Sequence, residues 1–491
     1  MDRRDFLTRA ATSSLLILRS ARTAFTYQAN ERLELAVVGM AGYANAVTFA
    51  GGIHTLPNVG IRVTCDVDLR KVARIYSLWE QRAREWPTSA NAAERSAADL
   101  YARLANEKPP LYDDFRRMLD EAADRIDAVT VATPDHSHAV IAAAALRAGK
   151  PVFAEKPLTI SVHEARALRR LTVAQKVATS MGNQGTASPQ FRRGVEIVRE
   201  GVLGPVEEVH VFFSRGGQNF RQPPQGVHEV PRELNWNLWL AQLAWREYHP
   251  AWINRVGWRG TSLGELGNFA PHTANLAFMG LEIGRLWEEG SAAPPIRVSA
   301  ECSEINRLSY PTWERIRWEV PARGERPPVT LTWHHGPLPQ GRPAEYAPGS
   351  RQRLETLLRD HGATDRDVAE WLVYAGALLV GGRGILVTNS HNTRFALFPR
   401  ERFADVPQDR PQQLPASPGH YQEWVNACRG DRWPLANFTY AGPFAEFIAL
   451  GEVATRFAGE VLEFDPVAGR IRNHADAHAA LSYEYRAGWR L

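Results

Sequence analysis

Cysteine is scarce in this chain of 491 residues, and its three cysteines, Cys65, Cys302 and Cys428, lie far apart. This number and spacing exclude a disulfide framework and offer no set of zinc ligands, so no metal site is predicted. The chain also lacks a run rich in lysine and arginine, because its net charge of +4 comes from arginines scattered among acids. Nucleic-acid binding is therefore not expected.

Apolar runs long enough to cross a bilayer are also missing. The stretch from Ala10 to Leu18 is too short to span one. It follows Asp2-Arg3-Arg4-Asp5-Phe6-Leu7, a pattern that resembles a twin-arginine export signal. We expect residues 1–30 to be this signal and the protein to be periplasmic. The alternative is a disordered basic N-terminus on a cytoplasmic protein.

What the chain does contain, from residue 31 to about 182, is an alternation of apolar strands with helical patterns, which predicts a doubly wound parallel sheet. The predicted elements of this part are strands at Leu33–Val38, Ile61–Cys65, Ala128–Ala132 and Pro151–Ala154, a helix at Ser137–Ala148, and a helical insertion or helix pair at Arg70–Lys108.

Beyond residue 182 the pattern changes to period two. Val209, Val211 and Phe213 share one face of a strand, as do Val329, Leu331 and Trp333. This alternation predicts a mostly antiparallel sheet that is packed on one side. Residues 183–491 are therefore assigned to a second, α+β domain, with helices returning after Ser417.

The turn after the first strand reads Gly39-Met40-Ala41-Gly42-Tyr43-Ala44. In a dinucleotide-binding fold, glycine at this turn lets backbone amides and a helix N-terminus approach a pyrophosphate. Here Ala41 replaces the middle glycine, and the adjacent Gly42 is expected to take its place. Asp66, at the end of the second strand, is predicted to bond a ribose hydroxyl and to favour NAD over NADP. Asp66 lies farther from Gly39 along the sequence than is usual in this fold, because residues 50–60 are expected to be extended.

Residues 133–157, TPDHSHAVIAAAALRAGKPVFAEKP, form a strand–helix–strand unit that delivers a lysine to the carboxyl edge of the sheet. Together with GNQG at 182–185, HTAN at 272–275 and SPGHYQEW at 417–424, this stretch resembles the Gfo/Idh/MocA oxidoreductase family. The resemblance implies an N-terminal Rossmann domain that binds NAD, and a second domain with an open-faced sheet. It adds as cofactor-binding residues Thr133, Pro134, His136, His138, Glu155, Lys156, Asn183 and Gln184.

The family moves a hydride between a nicotinamide and a sugar-like alcohol, and its reacting residues are a lysine and an Asp-x-x-x-His pair on one helix. Lys156 and His272 match this pattern, whereas Asn268 stands where the family has aspartate. The resemblance implies that His272 is the base and that residue 268 orients it. Asparagine does so without stabilising an imidazolium, and Glu265 is a possible substitute.

Aromatic and hydrogen-bonding residues between 235 and 259 are typical of a carbohydrate-binding surface. The predicted substrate residues are Trp236, Arg246, Tyr248, His249, Trp258, Arg259 and His335.

We therefore predict an exported NAD-dependent oxidoreductase that acts on a sugar or glycoside hydroxyl, retains its cofactor and forms a homo-oligomer through the second sheet. One alternative is a redox-neutral, NAD-dependent glycoside hydrolase of the same family. The other is a degenerate protein that binds a carbohydrate or nucleotide without catalysis, which Ala41 and Asn268 favour.

Overall fold

The computed structural model describes residues 32–40, 52–215, 219–288, 290, 294–337 and 346–491. These residues form two β-sheets, one of six strands and one of nine. Among the described residues, no helix combines the length and the apolar character that crossing a membrane requires.

The six strands of the first sheet are all parallel and lie in the order β3-β2-β1-β4-β5-β6. They are β1 (Leu33–Val38), β2 (Val59–Cys65), β3 (Leu111–Tyr112), β4 (Ala128–Val131), β5 (Val152–Ala154) and β6 (Thr179–Met181). The strand order reverses between β1 and β4, which is where open α/β sheets bind ligands. The doubly wound sheet predicted from the sequence is confirmed.

Five helices connect these strands: α1 (Leu69–Glu85), α2 (Ala92–Glu107), α3 (Phe115–Ala122), α4 (His138–Arg147) and α5 (Val162–Gln175). Side chains one residue before the first turn define several helix starts, because they accept bonds from otherwise unpaired amides. Asp68 accepts from Arg70, Asp114 from Arg116 and Ser161 from Glu164. The predicted insertion at residues 70–108 is the pair α1 and α2.

The segment after the first turn differs from expectation. Residues 50–60 were expected to be extended, but Ile53–Thr55 forms a short 3₁₀ helix. Its Ile53 is buried with Leu33 and Leu35 of β1, so burial of an apolar side chain overrides extension.

The second sheet runs β13-β12-β11-β7-β10-β9-β8-β14-β15. Its strands are β7 (Val206–Ser214), β8 (Ile296–Cys302), β9 (Glu314–Val320), β10 (Val329–Gly336), β11 (Ala375–Gly381), β12 (Gly384–Asn389), β13 (Phe395–Phe398), β14 (Val461–Asp465) and β15 (Arg470–Ile471). Neighbouring described strands are antiparallel except β7 and β10, which are parallel. The predicted mostly antiparallel sheet is confirmed.

The helices of this part are α6 (Pro189–Arg199), α7 (Trp236–Leu240), α8 (Gly264–Thr273), α9 (Asn275–Gly280), α10 (Ser350–Asp360), α11 (Asp365–Trp371), α12 (His420–Cys428), α13 (Phe438–Arg456) and α14 (Ala475–Ala479). Helix α13 packs against α5 beside the first sheet and against β8 and β9 of the second. It therefore joins the two sheets through one apolar core.

Two segments reach from the second part of the chain to the edge of the first sheet. Residues 234–258 bring α7 and the turn after it to the loop that follows β4, where His136 Nε2 lies 2.8 Å from the Trp239 carbonyl oxygen. Residues 481–491 cross α5 and α7 and end beside α3, where Trp489 packs on Phe115.

Candidate active site

A cavity of about 330 Å³ opens at the carboxyl edge of the first sheet, within the size range of small-molecule sites. The ends of four strands line it, at Val38–Gly39, Cys65–Asp66, Ala132–Thr133 and Glu155–Lys156. Residues from the 234–258 segment and Trp489 complete the wall.

The turn after β1 is closely packed at Gly39. This residue has φ +85°, and a Cβ there would lie 2.5 Å from the Ala132 carbonyl oxygen. Glycine is therefore required both for the backbone conformation and for the close approach of this turn to the end of the neighbouring strand β4. The predicted cofactor residues Ala41, Gly42, Tyr43 and Ala44 lie outside the described residues.

The β2 end of the cavity is acidic, with Asp66, Asp68, Asp113 and Asp114 in its wall. Asp66 accepts hydrogen bonds from the Met40 amide at 2.9 Å and the Asp68 amide at 3.0 Å, which hold its carboxylate beside the turn. Burial raises the pKa of Asp66. Asp68 and Asp114 are paired with Arg70 and Arg116, whereas no ion pair is formed by Asp66 or Asp113 with the described residues. These two carboxyl groups oppose a ligand phosphate and suit a ribose with free hydroxyl groups.

The loop after β4 contributes Thr133, Pro134, Ser137 and His138 to the cavity wall. The His138 ring nitrogens lie 2.8 Å from the Pro157 carbonyl oxygen and 2.9 Å from that of Thr133. This ring therefore ties the loop to the residue that follows Lys156.

His136 is placed differently from the rest of its loop. Its ring is buried against Trp239, with centroids 5.0 Å apart, and burial lowers its pKa to about 4. His136 is outside the described cavity wall and holds the 234–258 segment in place.

Lys156 lines the cavity and is held by α8. Its Nζ donates to the Asn268 carbonyl oxygen at 2.7 Å and to Asn268 Oδ1 at 3.1 Å. Asn268 Nδ2 in turn donates to Glu265 Oε2 at 2.7 Å. Burial, reinforced by the charge of Arg255, lowers the pKa of Lys156 to about 8. A lysine with a pKa near neutrality is suited to proton transfer.

This geometry corrects the partner expected for Asn268. The side chain of Asn268 bonds Lys156 and Glu265, and His272 Nδ1 has no hydrogen-bond partner among the described residues. The carbonyl end of the amide faces the lysine and the amino end faces the glutamate, so both ends are already used. Glu265, which was considered as a substitute for the residue that orients His272, accepts a hydrogen bond from Asn268.

His272 lies on α8, near His391 and His420. Its ring centroid is 4.5 Å from that of His391, and the charges of Lys156, His391 and His420 act with burial to hold its pKa well below the usual range. His272 is buried and is not in the described cavity wall. Its predicted part in the reaction stays a prediction.

Of the remaining residues predicted to bind the cofactor, Glu155 is in the described cavity wall, and Asn183 and Gln184 are not. Glu155 lines the cavity, and burial raises its pKa to about 8. A Cβ on Gly182 would lie 2.4 Å from Glu155 Oε2, so the β6 end packs directly on this carboxyl group. Asn183 is fully buried, and its side-chain amide has no hydrogen-bond partner in the described part of the chain. Gln184 is exposed.

The seven predicted substrate residues all lie outside the described cavity wall. Trp236 stacks on Trp239 with centroids 4.7 Å apart and packs edge-on against Tyr248. The guanidinium of Arg246 lies over the Trp252 ring, and His249 Nδ1 accepts the Ala251 amide at the start of a 3₁₀ turn. These contacts hold the 234–258 segment together.

Arg259 is buried among second-domain groups. It is paired with Glu452 and donates to the Asn306 and Ser309 carbonyl oxygens, each at 2.7 Å. Trp258 is buried and stacks on Phe220, and His335 is buried against Phe213. The polar contacts of Arg259 are therefore structural, and a substrate role for these three residues stays a prediction.

Asp135, Arg255 and Trp489 are among the residues that line the cavity and that the sequence reasoning missed. Asp135 lies inside the TPDHSH stretch at residues 133–138, so the sequence could have identified it. Arg255 and Trp489 come from segments without periodicity, and their position depends on how those segments return to the first sheet.

Comparison with known proteins agrees with this geometry. Residues 33–183 match the family model of the Gfo/Idh/MocA oxidoreductase family, NAD-binding Rossmann fold. The inositol 2-dehydrogenase of Rhizobium meliloti is 32% identical over 127 residues, which cover 25% of this chain and 38% of that protein. The levoglucosan dehydrogenase of Pseudarthrobacter phenanthrenivorans is 28% identical over 127 residues, 25% of this chain and 32% of that protein. The chain thus spans about a third of the length of these curated relatives.

Among solved structures, the aldose-aldose oxidoreductase of Caulobacter crescentus complexed with glycerol has a TM-score of 0.51 at 14% identity, covering 88% of this chain and 100% of that one. The WlbA dehydrogenase of Bordetella pertussis, in complex with NADH and UDP-GlcNAcA, has a TM-score of 0.50 at 13% identity, covering 88% and 99%. These similarities show a shared fold.

Proposed function

We propose that this chain, whose residues 33–183 form an NAD-binding Rossmann domain of the Gfo/Idh/MocA oxidoreductase family, is an NAD-dependent oxidoreductase for a carbohydrate hydroxyl group. The observation that carries the proposal is the hydrogen-bonded chain Lys156–Asn268–Glu265 at the carboxyl edge of the sheet. It positions an amine with a lowered pKa in the wall of the cavity.

The described residues fit NAD. Gly39 permits a close approach to the β1 turn, and Asp66 is held at the end of β2, where a ribose hydroxyl is bound in this fold. Asp66 and Asp113 disfavour a 2′-phosphate, so NADP is the less suitable cofactor. When bound, the nicotinamide supplies the hydride acceptor or donor.

The chain's own residues manage the proton. Oxidation of an alcohol removes the hydroxyl proton, and neutral Lys156 is placed to accept it through Nζ. The two bonds to Asn268 fix the direction of Nζ, and Glu265 fixes the amide of Asn268. Burial, reinforced by the charge of Lys156, holds the pKa of His272 well below its usual range, so His272 stays neutral beside the protonated amine.

The test is Lys156→Met in a single-turnover assay that follows reduction of the bound NAD by myo-inositol, levoglucosan or an aldose. We expect turnover to fall by about 10²–10⁴ because a positioned proton-transfer group is removed. The matched control is Lys150→Met at the other end of β5, where Nζ bonds the Ile126 carbonyl oxygen at 2.9 Å. Turnover above about a tenth of wild type in Lys156→Met, with intact folding, contradicts the assignment.

We further propose that the cofactor stays bound through the catalytic cycle. Support comes from Trp489, which lines the cavity beside its acidic end and belongs to the segment 481–491 that crosses α5 and α7. A retained cofactor must be restored in place, so the net reaction is redox-neutral or uses a second substrate. Turnover without added oxidant separates these schemes, including the glycoside hydrolase, from an ordinary dehydrogenase. A protein that retains NAD but converts no carbohydrate corresponds to the degenerate alternative.

Export and assembly stay predictions. The twin-arginine pattern lies in residues 1–31, outside the described residues. The homo-oligomer through the second sheet is proposed on the family resemblance.

A further inference from the structure

Arg255 is a cation in the cavity wall, beside Asp135. It lies between Trp252 and Trp258 and lines the cavity together with Asp135 and Lys156. Its side chain is 43% exposed, and its Nε lies 4.0 Å from Asp135 Oδ1, which is too far for a hydrogen bond. Among the described residues, none forms a hydrogen bond with its guanidinium.

Three arginines near this site are engaged by protein groups. Arg259 has its donors on Glu452, Thr455 and two backbone carbonyls. Arg246 lies over the Trp252 ring, and Arg70 is bonded twice to Asp68. Arg255 thus differs from them, because the planar fork of a guanidinium is left for a ligand.

Arg255 belongs to the reacting end of the cavity. Its charge acts on Asp135, Glu155, Lys156, Glu265 and His272. It is not among the main charges that act on Asp66, Asp68 or Asp114 at the acidic end. A ligand group that meets Arg255 would therefore lie at the Lys156 end of the cavity.

The surrounding carboxyl groups neutralise Arg255 poorly. Burial raises the pKa of Asp135 and of Glu265, and it raises the pKa of Glu155 to about 8. All three groups are consequently protonated more readily than exposed acids. An anionic ligand would supply the compensating charge that the protein does not.

We propose that Arg255 forms a carboxylate-binding subsite at the reacting end, and that the substrate is a carbohydrate carrying a carboxylate, such as a uronate or its glycoside. The carboxylate binds the guanidinium side-on through two parallel hydrogen bonds, and this anchors the sugar with a hydroxyl group toward Lys156. The inference rests on the proposed function for the oxidation step.

The experiment compares pairs of sugars that differ only in the carboxylate: D-glucuronate with D-glucose, and D-galacturonate with D-galactose. Binding to the NADH-loaded protein is measured by titration calorimetry, and hydride transfer is measured separately as reduction of bound NAD in a single turnover. We expect a uronate to bind at least about tenfold more tightly than its neutral partner, since a charge-assisted pair contributes more than a neutral contact.

Three variants complete the test. Arg255→Gln is expected to weaken uronate binding by about 10- to 100-fold and neutral sugar binding by less than threefold. Arg255→Lys keeps the charge without the planar fork and should give an intermediate loss. Arg297→Gln, on the exposed surface of β8, is the matched control and should change neither.

Two results overturn the subsite: equal binding of the uronates and their neutral partners, or a loss of NAD affinity in Arg255→Gln that matches the loss of uronate affinity. The second result would assign Arg255 to the cofactor. Uronate binding that depends on Arg255 without any hydride transfer leaves the subsite standing and refutes the proposed oxidation instead. The two hypotheses therefore fail separately.

Discussion

At the scale of single residues, Asn268 determines how Lys156 is held. A neutral amide can accept from Lys156 and donate to Glu265 at the same time, which a carboxylate cannot do. Asn268 therefore links the Lys156 amine to the Glu265 carboxyl group without adding a charge of its own. The consequence is a lysine whose pKa of about 8 reflects burial more than ion pairing.

Asn268→Asp tests this account through the pH dependence of activity. A carboxylate at the same place would lie about 3 Å from Lys156 Nζ, and an adjacent negative charge favours the protonated amine. Because neutral Lys156 is the base, the rising limb of kcat/KM, expected near pH 8 in wild type, should move upward by about one unit. The pH profile of kcat/KM measures this shift.

The double variant Asn268→Asp/Glu265→Gln is the control. It removes the repulsion between two adjacent acids, so the new carboxylate stays ionised and the upward shift should be at least as large. An unchanged limb in both variants would mean that Lys156 is not the titrating base. Glu155→Gln distinguishes the neighbouring group of similar pKa. If Lys156 is the base, the rising limb should remain and move downward, because Lys156 loses a negative neighbour that raises its pKa.

At the scale of elements, residues 481–491 close one side of the cofactor cavity. Tyr483 and Tyr485 donate to Glu164 Oε1 at 2.5 and 2.7 Å, and Arg486 bonds the Ala241 carbonyl oxygen at 2.5 Å. Trp489 then lies under the Arg116 guanidinium, 4.4 Å from its ring centroid. The segment is thus anchored to α5, to the end of α7 and to α3.

Trp489→Ala should speed cofactor release, because the cavity loses an aromatic wall whose stacking contributes about 1 kcal/mol or more. We expect the NAD dissociation rate to rise at least about fivefold, measured by stopped-flow displacement or by the NAD remaining after dialysis. With association near ~10⁶ M⁻¹s⁻¹, a nanomolar complex releases at about 10⁻³ s⁻¹, so the change is measurable.

Trp245→Ala is the comparison for this variant, since Trp245 is 57% exposed and lies outside the described cavity wall. Its release rate should match wild type. Equal release rates in both variants would show that residues 481–491 do not retain the cofactor, while leaving NAD binding itself intact.

At the scale of the whole molecule, α13 and its buried charges join the two sheets. Glu452 on α13 pairs with Arg259 and Arg456, and Glu446 pairs with Arg166 of α5. These groups sit in the core that the sheets share, so they fix how the second domain presents α8 and Lys156's partner Asn268 to the cavity. Buried pairs are sensitive to the loss of one member.

Arg259→Met should lower the free energy of unfolding by about 3 kcal/mol, because Glu452 loses one of its two cationic partners in the core. Urea denaturation measures the change. The exposed pair Arg297–Glu319 provides the control, and Arg297→Met should cost less than about 1 kcal/mol. A rise in KM with unchanged stability would instead support the substrate role predicted for Arg259 from the sequence.

The local parts of this protein follow from its sequence. Apolar runs separated by helical patterns identified four of the six described strands of the first sheet, with ends misplaced by one or two residues at β2, β4 and β5, whereas the short strands β3 and β6 were missed. The strand–helix–strand unit at residues 133–157 determined that Lys156 stands at the sheet edge, because its neighbours along the chain impose that position. Gly39 and Asp66 follow from the same local logic at the ends of β1 and β2.

The tertiary structure alone decided which groups meet Lys156. Helical spacing put Asn268 and His272 on one helix, but competition among Lys156, Glu265 and His272 for one amide determined that Asn268 bonds the first two. Arg255 and Trp489 reach the cavity through irregular segments whose path is set by packing with distant residues. The sequence predicted Arg259 as a substrate residue. In the fold it is buried and forms an ion pair with Glu452 of α13. Hydrophobic periodicity reports burial along one element, whereas these pairings depend on contacts between elements that are far apart in the chain.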